Sequence, residues 1–307
     1  MYDLIIIGGS AAATSAGIYA ARRELNFKIV TKDFGGEVAT SGEIGNWPGV
    51  NQTDGITLAN QFKEHLKFYN VIPEEGLEVE GISKQEDGTF CIKIKGGGAC
   101  DYVAKSVILA TGVYPRELNI PGEKEFRNKG VSYCTVCDGP LFKSKTVAVI
   151  GGGNSALEAA LMLADISSKV FVVNKNPVFA GDEILTDKLK TKPNVEIIYE
   201  AMTTEIFGKK FAEGLKYKDK DEQTREILAE GIFVHIGMMP NSAIVPPEVQ
   251  KNKFGEIITD KNCATNVPGL YAAGDVTDTP FKQIVVAVGQ GCIAALSAVQ
   301  YLNLKRQ

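Results

Sequence analysis

The sequence repeats one glycine-rich strand–turn–helix pattern at two places separated by a constant offset. Residues 3–17 read DLIIIGGSAAATSAG, and residues 146–160 read TVAVIGGGNSALEAA, so the offset is 146 − 3 = 143 and no gap is needed. A second apolar strand follows each copy, KIVTK at 28–32 and FVVNK at 171–175. The pattern predicts two βαβ units that bind dinucleotides.

Glycine is needed in such turns because it adopts unusual dihedral angles and lets the backbone approach a pyrophosphate. The helix that follows presents unpaired N–H groups to the phosphates. Two ordinary βα turns would leave a second similarity unexplained, between SVILATGVYP (106–115) and GIFVHIGMMP (231–240). We therefore predict an α/β fold with two Rossmann-like, three-layer ββα domains. One is discontinuous (1–114 and 242–307), and the other (115–241) is inserted in it.

Composition narrows the classes of function. The 307 residues include 44% hydrophobic and 23% charged residues, which is typical of globular domains. The net charge is −4, and no run of Lys or Arg forms a basic patch, so a nucleic-acid or anionic-membrane binder is not expected. The most apolar stretch, 4–21, is interpreted as strand, turn and helix rather than a membrane span, and we expect no leader before it. We expect a cytoplasmic protein.

Two of the six cysteines are close in sequence, Cys134 and Cys137. The other four (Cys91, Cys100, Cys263, Cys292) are scattered and are predicted to be packing residues with free thiols. A zinc site at the CxxC would need four ligands, and the sequence has no second CxxC or His pair, so no metal site is expected. Chance spacing of two buried cysteines is a second interpretation. A redox dithiol is favoured, because the adjacent Asp138 is an acid that can shuttle a proton.

The C-terminal segment contains another strand end with an acid. VPGLYAAGDV (267–276) is an apolar strand that ends in Gly274 and Asp275. A long, largely buried helix is predicted within 281–302, starting near Lys282. The Asp275 side chain can bind the hydroxyls of a sugar chain. Its alternative role is that of a plain helix cap.

Taken together, these motifs resemble the low-molecular-weight, prokaryotic-type thioredoxin reductases, and the resemblance runs nearly end to end. The matching segments are the turn at 8–13, GGEV (35–38), NWPG (46–49), ATG (110–112), CTVCDG (134–139), GGGNSA (151–156), AAGDV (272–276) and KQI (282–284). The resemblance implies FAD in the outer domain, NAD(P)H in the inserted domain, a homodimer, and a thioredoxin or thioredoxin-like partner.

The resemblance also assigns roles residue by residue. Cys137 faces the flavin, Cys134 attacks the thioredoxin disulfide, and Asp138 is the general acid–base. The implied FAD contacts are Gly8, Ser10, Ala11, Gly35, Gly36, Glu37, Val38, Asn46, Thr111, Gly112, Asp275, Gln283 and Ile284. The implied NAD(P)H contacts are Gly151, Gly153, Asn154, Ser155 and Lys175.

The sequence departs from the family at two places. Ser10 occupies the position of the second glycine of the first turn. The His-Arg-Arg and later Arg that grip the 2′-phosphate of NADPH are replaced by Asn174-Lys175-Asn176 and Ala180, and a lone Lys does not replace a bidentate guanidinium. The donor is thus left open between NADPH, NADH and a non-nucleotide donor such as ferredoxin or a flavin. Two other functions also remain, a non-enzymatic redox or nucleotide sensor and a flavin-dependent reductase of another substrate.

Overall fold

The computed structural model describes residues 1–41 and 43–305. The chain divides into two compact units, Met1–Tyr114 with Met239–Gln307, and Pro115–Met238. The return to the first unit falls at Met239 rather than at 242. Asn241 already belongs there, because its N–H donates to Gly112 O and its amide donates to Thr111 O.

The first unit contains strands β1 (Tyr2–Ile7), β2 (Phe27–Val30), β3 (Glu43–Ile44), β4 (Thr53–Asp54), β5 (Val79–Lys84), β6 (Phe90–Ile94), β7 (Tyr102–Leu109) and β18 (Leu270–Ala272). Its helices are α1 (Ala11–Arg22), α2 (Gly36–Thr40), α3 (Gly55–Phe68) and α7 (Ile284–Leu304).

The second unit contains strands β9 (Val131–Ser132), β10 (Thr146–Ile150), β11 (Lys169–Val173), β12 (Val195–Ile198), β13 (Met202–Gly208), β14 (Ala212–Lys218), β15 (Thr224–Leu228) and β16 (Gly231–Val234). Its helices are α4 (Thr135–Asp138), a 3-10 turn at Gly139–Phe142, α5 (Asn154–Ala164) and α6 (Glu183–Lys190). At the two crossings of the chain, β8 (Val113–Pro115) pairs with β17 (Met238–Pro240).

The sheet of the first unit has the order β2-β1-β7-β6-β5, with β18 on β7. β2, β1, β7 and β18 are parallel, and β5 and β6 pair antiparallel. Alternate residues of β1 face opposite sides, because successive side chains of a strand point to opposite faces. Leu4 and Ile6 pack with α1, α3 and α7, whereas Ile5 and Ile7 pack with β6 and the segment before β18.

The second unit has a parallel sheet in the order β12-β11-β10-β16-β9 and a separate antiparallel sheet β13-β14-β15. Val147 and Val149 face α5, and Ala148 and Ile150 face the antiparallel sheet. This unit therefore has three layers, helices, parallel sheet and antiparallel sheet. The predicted α/β class with parallel, Rossmann-like sheets is confirmed.

Helix α7 begins at Ile284, close to the predicted start near Lys282. Within the described residues it is the one helix long and apolar enough to cross a membrane by length and composition. One stripe of it packs closely on α1, since a Cβ on Gly291 would lie 2.2 Å from Ala12 O. Val285 and Ile293 lie on its exposed face. The helix is therefore packed along one stripe, and 28% of its most apolar window is buried.

The prediction that Cys91 and Cys100 are free packing residues is wrong. They form a disulfide across the β6–β7 hairpin, with Cα atoms 5.6 Å apart. The hairpin loop is held by Asp101, whose carboxylate accepts the N–H groups of Ile94 and Gly98. Cys263 and Cys292 are free, as predicted.

Candidate functional site

The first glycine-rich turn lies where β1 ends and α1 begins. Gly8 has φ +125°, and a Cβ there would lie 2.1 Å from Ala110 O, so only glycine fits. Ser10 is the N-cap residue of α1, but its hydroxyl does not cap the helix. It donates instead to Gly35 O at 2.5 Å. A Cβ on Gly36 would lie 3.3 Å from Ser10 Cβ, so the two residues are close neighbours. The departure at Ser10 thus links two loops that are both implied to contact FAD.

Asp275 follows β18 at the same carboxyl edge of the sheet as β1 and β7. Its Oδ1 atom is buried without a hydrogen-bond partner. Burial raises the pKa of this carboxyl to about 6, Lys282 opposes the shift, and Glu37 adds to it. The residue that caps α7 is Gln283, so Asp275 is not that helix's cap. A buried carboxylate oxygen with no protein partner fits a polyhydroxyl ligand such as the ribityl chain of FAD.

The structure brings other residues implied for FAD to the same edge. Asn46 donates its amide to Gln283 Oε1 at 3.2 Å, next to Ile284 at the start of α7. Thr111 and Gly112 follow β7, and the Thr111 hydroxyl donates to Asn241 O. Ala11 and Val38 are buried, and Glu37 lies in α2. These side chains and backbone groups would hold FAD.

The second glycine-rich turn lies between β10 and α5. Gly151 has φ +142°, and a Cβ there would lie 2.1 Å from His235 O, whereas Gly153 has open space. Ser155 is exposed at the first turn of α5. Asn154 is engaged within the protein, because its amide both accepts the N–H of Asp182 and donates to the Asp182 carboxylate. The turn leaves backbone N–H groups at a helix start, which suits a pyrophosphate.

The loop after β11 is held by Asn174. This residue is buried, and its amide donates to Asn176 O and Val178 O. A Cβ on Gly152 would lie 2.4 Å from Asn174 Oδ1, and Gly152 O accepts the N–H groups of Ala180 and Gly181. The side chains of Lys175, Asn176 and Ala180 remain exposed. Asn174 thus holds the conformation of the loop, and Lys175 is the one positively charged side chain among these three exposed positions.

Cys134 and Cys137 form a disulfide, with Cα atoms 5.3 Å apart. Cys134 is the N-cap residue of α4, and its Sγ accepts the Cys137 N–H at 3.3 Å. A hydrogen bond to sulfur stabilises a thiolate when the pair is reduced.

The acid beside the disulfide is oriented by Ser132. The Ser132 hydroxyl donates to Asp138 Oδ2 at 2.6 Å and accepts the Cys134 N–H at 3.1 Å. Ser132 therefore joins the dithiol backbone to the acid. The sequence did not indicate Ser132, because a serine shortly before a CxxC carries no distinctive signal.

A second residue missed from the sequence is His235. Its Nε2 lies 2.7 Å from Thr135 Oγ1, in the first turn of the dithiol helix. Burial lowers the pKa of His235 to about 4, so the ring is neutral at physiological pH. Among the described residues, no group of three or more His, Cys, Asp or Glu could hold a metal ion.

Comparison with known proteins defines the class. The family model described as "Pyridine nucleotide-disulphide oxidoreductase" matches residues 2–291, and the chain belongs to this family. Its cofactors, FAD and NAD(P)H, are the two that the sequence predicts.

Within that family the chain has the structure of the prokaryotic-type thioredoxin reductases, and the resemblance is confirmed. A thioredoxin reductase from Streptococcus pyogenes is 34% identical, with TM-score 0.93 over 99% of each chain. One from T. acidophilum is 37% identical, with TM-score 0.65 over 99% of each chain.

Curated relatives have different names. A protein from Pseudomonas putida named as a subunit of alkyl hydroperoxide reductase is 44% identical over 98% of this chain. An "NADH dehydrogenase" from Bacillus subtilis is 41% identical over 98% of this chain. The chain spans 58% of the length of each of these two relatives.

Proposed function

We propose that the chain is an FAD-dependent disulfide reductase that passes electrons from a nicotinamide nucleotide to Cys134–Cys137 and on to a thioredoxin or thioredoxin-like protein. The observation that carries this proposal is the disulfide in α4, beside an acid held by Ser132 and on the same unit as a glycine-rich nucleotide turn. The structural relatives named thioredoxin reductase support it.

In this mechanism the first unit holds FAD and the second holds the nucleotide. When bound, FAD accepts two electrons from the nucleotide and delivers them to the disulfide. The Cys134–Cys137 bond takes up these two electrons and two protons to give two thiols. Asp138 takes the proton of the Cys134 thiol, the Cys134 thiolate attacks one sulfur of the partner disulfide, and the other partner sulfur leaves as a thiolate. Asp138 protonates that leaving group.

Resolution restores the enzyme. Asp138 takes the proton of the Cys137 thiol, and the Cys137 thiolate attacks Cys134 in the mixed disulfide. The second partner sulfur leaves and receives this proton, and the intramolecular disulfide forms again. The partner has gained two electrons and two protons. The hydrogen bond from the Ser132 hydroxyl to Asp138 Oδ2 orients this acid beside the dithiol turn.

We propose NADH as a donor at least as good as NADPH. The exposed side chains of the loop after β11 include Lys175 but no arginine, and the buried Asn174 amide is committed to the loop backbone. A relative named NADH dehydrogenase supports this proposal. The donor is tested by comparing kcat/KM for NADH and NADPH with a thioredoxin-like disulfide protein as acceptor.

The relatives named for alkyl hydroperoxide reductase favour a second candidate, electron delivery to the disulfide of a peroxide-reducing system. Both candidates use the same dithiol and differ in the protein that it reduces. Coupled assays with a thioredoxin and with a dithiol carrier domain of such a system distinguish them. A colourless protein that takes up no FAD would contradict both candidates and favour a redox or nucleotide sensor.

Assembly and location are proposals of the same kind. We propose a cytoplasmic homodimer, and the exposed apolar residues Val285 and Ile293 of α7 support the assembly. Light scattering after size-exclusion chromatography tests the assembly. A mass of about 33 kDa would contradict it.

A further inference from the structure

His235 links the nucleotide turn and the dithiol turn of the second unit. It follows β16 directly, and its N–H donates to Ile150 O, the last residue of β10. Its carbonyl oxygen lies against Gly151, which leaves no room for a Cβ. The backbone of His235 is therefore fixed by the strand pair β10–β16.

The imidazole extends from this fixed backbone to Thr135, 100 residues earlier in the chain. Thr135 is the first residue of α4, between the N-cap Cys134 and the second cysteine, and it is buried. The distance from Nε2 to Oγ1 is 2.7 Å, within hydrogen-bond range. The threonine methyl faces Gly139, at the end of the same short helix. Thr135 is thus held on both sides.

Because the ring is neutral, Nε2 is able to accept the Thr135 hydroxyl proton while Nδ1 carries the hydrogen. Removing either partner leaves the other buried polar group unpaired. The first turn of α4 then loses the anchor that lies one residue from Cys134. The hydrogen bond from the Cys137 N–H to Cys134 Sγ depends on that turn.

We propose that His235 is a positioning residue for the redox pair. Through Thr135 it holds the first turn of α4, and so holds the Cys137 N–H against Cys134 Sγ, which stabilises the Cys134 thiolate. The positioning of Cys134 does not depend on the proposed function. Its effect on catalysis does rest on it, because the thiolate fraction of Cys134 sets the rate of attack on a partner disulfide.

The test is the pH profile of Cys134 alkylation in the FAD-loaded full chain. The protein is reduced with dithiothreitol, freed of excess reductant without oxygen and treated with iodoacetamide. Modification of Cys134 is read by peptide mass spectrometry. His235→Phe and Thr135→Val each remove one partner of the His235–Thr135 hydrogen bond and replace it with an apolar side chain of similar shape. We expect each to raise the midpoint of the profile by about 0.4 to 1 pH unit, the equivalent of one neutral hydrogen bond.

Conservative variants and a double variant distinguish a positioning role of His235 from a general loss of structure. His235→Gln and Thr135→Ser keep a polar partner and should retain the unmodified midpoint. The double variant His235→Phe with Thr135→Val should shift no further than either single variant, because both remove the same bond. His65→Phe, which changes the other histidine of the chain, should leave the midpoint unchanged.

Unchanged midpoints in both single variants, or shifts that add in the double variant, would overturn the inference. So would a shift in His235→Phe without one in Thr135→Val, because the two then act separately. Chemical reduction makes this test independent of the nucleotide and of electron transfer through flavin. A dithiol that neither NADH nor NADPH reduces would contradict the proposed function and leave the alkylation result intact.

Discussion

At the scale of single residues, the buried carboxyl of Asp275 lowers the stability of the FAD-free protein and, in the proposed function, contributes to FAD binding. Its folded-state pKa is raised from 3.8 to about 6 by burial. Below about pH 3 the carboxyl is protonated in both the folded and the unfolded state and does not change the free energy of unfolding. As the pH rises from 4 to 6, the unfolded chain ionises first, so the free energy of unfolding of the FAD-free protein falls.

The Asp275→Asn variant should remove this pH dependence. In FAD-free protein it should be more stable than the unmodified chain above pH 6, by up to about 3 kcal/mol, and this difference should vanish below about pH 3. Urea unfolding across this pH range measures the difference. The control is Asp221→Asn, at an exposed position in the other unit. It should change neither the free energy of unfolding nor its dependence on pH.

The same variant should bind FAD more weakly, because the ribityl hydroxyls lose a charged acceptor. A hydrogen bond to a charged group contributes about 1.5–3 kcal/mol, so we expect about a 10- to 100-fold rise in the Kd of FAD. Fluorescence titration of FAD-free protein checks it. An unchanged Kd would mean that Asp275 does not face the cofactor.

Residues at strand ends were predictable, and partners distant in sequence were not. Gly8, Gly151 and Asp275 follow apolar strands, and this local pattern indicates their places. His235 and Ser132 contribute through contacts with Thr135 and Asp138, and these contacts exist only after the second unit has folded.

At the scale of secondary-structure elements, the β6–β7 hairpin carries a cross-link that the sequence did not reveal. Cys91 and Cys100 are nine residues apart, and that spacing does not show whether the strands between them fold back on each other. The signals that indicate a hairpin are the alternating strand FCIKI and the glycine run at 96–98 that follows it.

This disulfide should be detectable by counting thiols. The air-oxidised protein, denatured without reductant, should show two reactive thiols, Cys263 and Cys292, and six after reduction. Four thiols before reduction would mean that one of the two disulfides is absent. Replacing both Cys91 and Cys100 by Ser should lower the free energy of unfolding by about 2.5 kcal/mol, as expected for a closed loop of this length. Urea unfolding in the absence of reductant tests this value.

The loop after β11 permits a direct test of donor preference. The side chains at Asn176 and Ala180 are exposed, so arginine fits at both without burial of charge. Two charge-assisted contacts to a phosphate contribute about 3–6 kcal/mol. Asn176→Arg with Ala180→Arg should therefore raise kcat/KM for NADPH by about 100-fold or more relative to NADH.

The control for this variant adds the same charge elsewhere. Gln300→Arg with Asn303→Arg places two arginines on the exposed face of α7, in the other unit. This control should leave the NADPH to NADH ratio unchanged. If the unmodified chain prefers NADPH a thousandfold, residues other than those at 174–180 hold the 2′-phosphate.

At the scale of the whole molecule, the internal repeat made the two nucleotide units predictable. Each glycine turn, strand and helix is a local pattern, and the constant offset shows that it occurs twice. The second unit's antiparallel layer, β13-β14-β15, rests on ordinary alternating strands that carry no such signature. The partner protein was not predictable, because similar chains are named for different reactions, thioredoxin reductase in one relative and alkyl hydroperoxide reductase in another.

The central claim is that electrons from a nicotinamide nucleotide pass through FAD to the Cys134–Cys137 disulfide. Anaerobic titration of the FAD-loaded protein with NADH, followed by absorbance, tests it most directly. The titration is made in a Cys91→Ser, Cys100→Ser background, so that the other disulfide takes up no electrons. Flavin and disulfide are both two-electron acceptors, so we predict about two equivalents of NADH per chain, and about one when Cys134 and Cys137 are also replaced by Ser. Full reduction of the flavin at one equivalent, with the Cys134–Cys137 disulfide still closed to alkylation, would contradict the account.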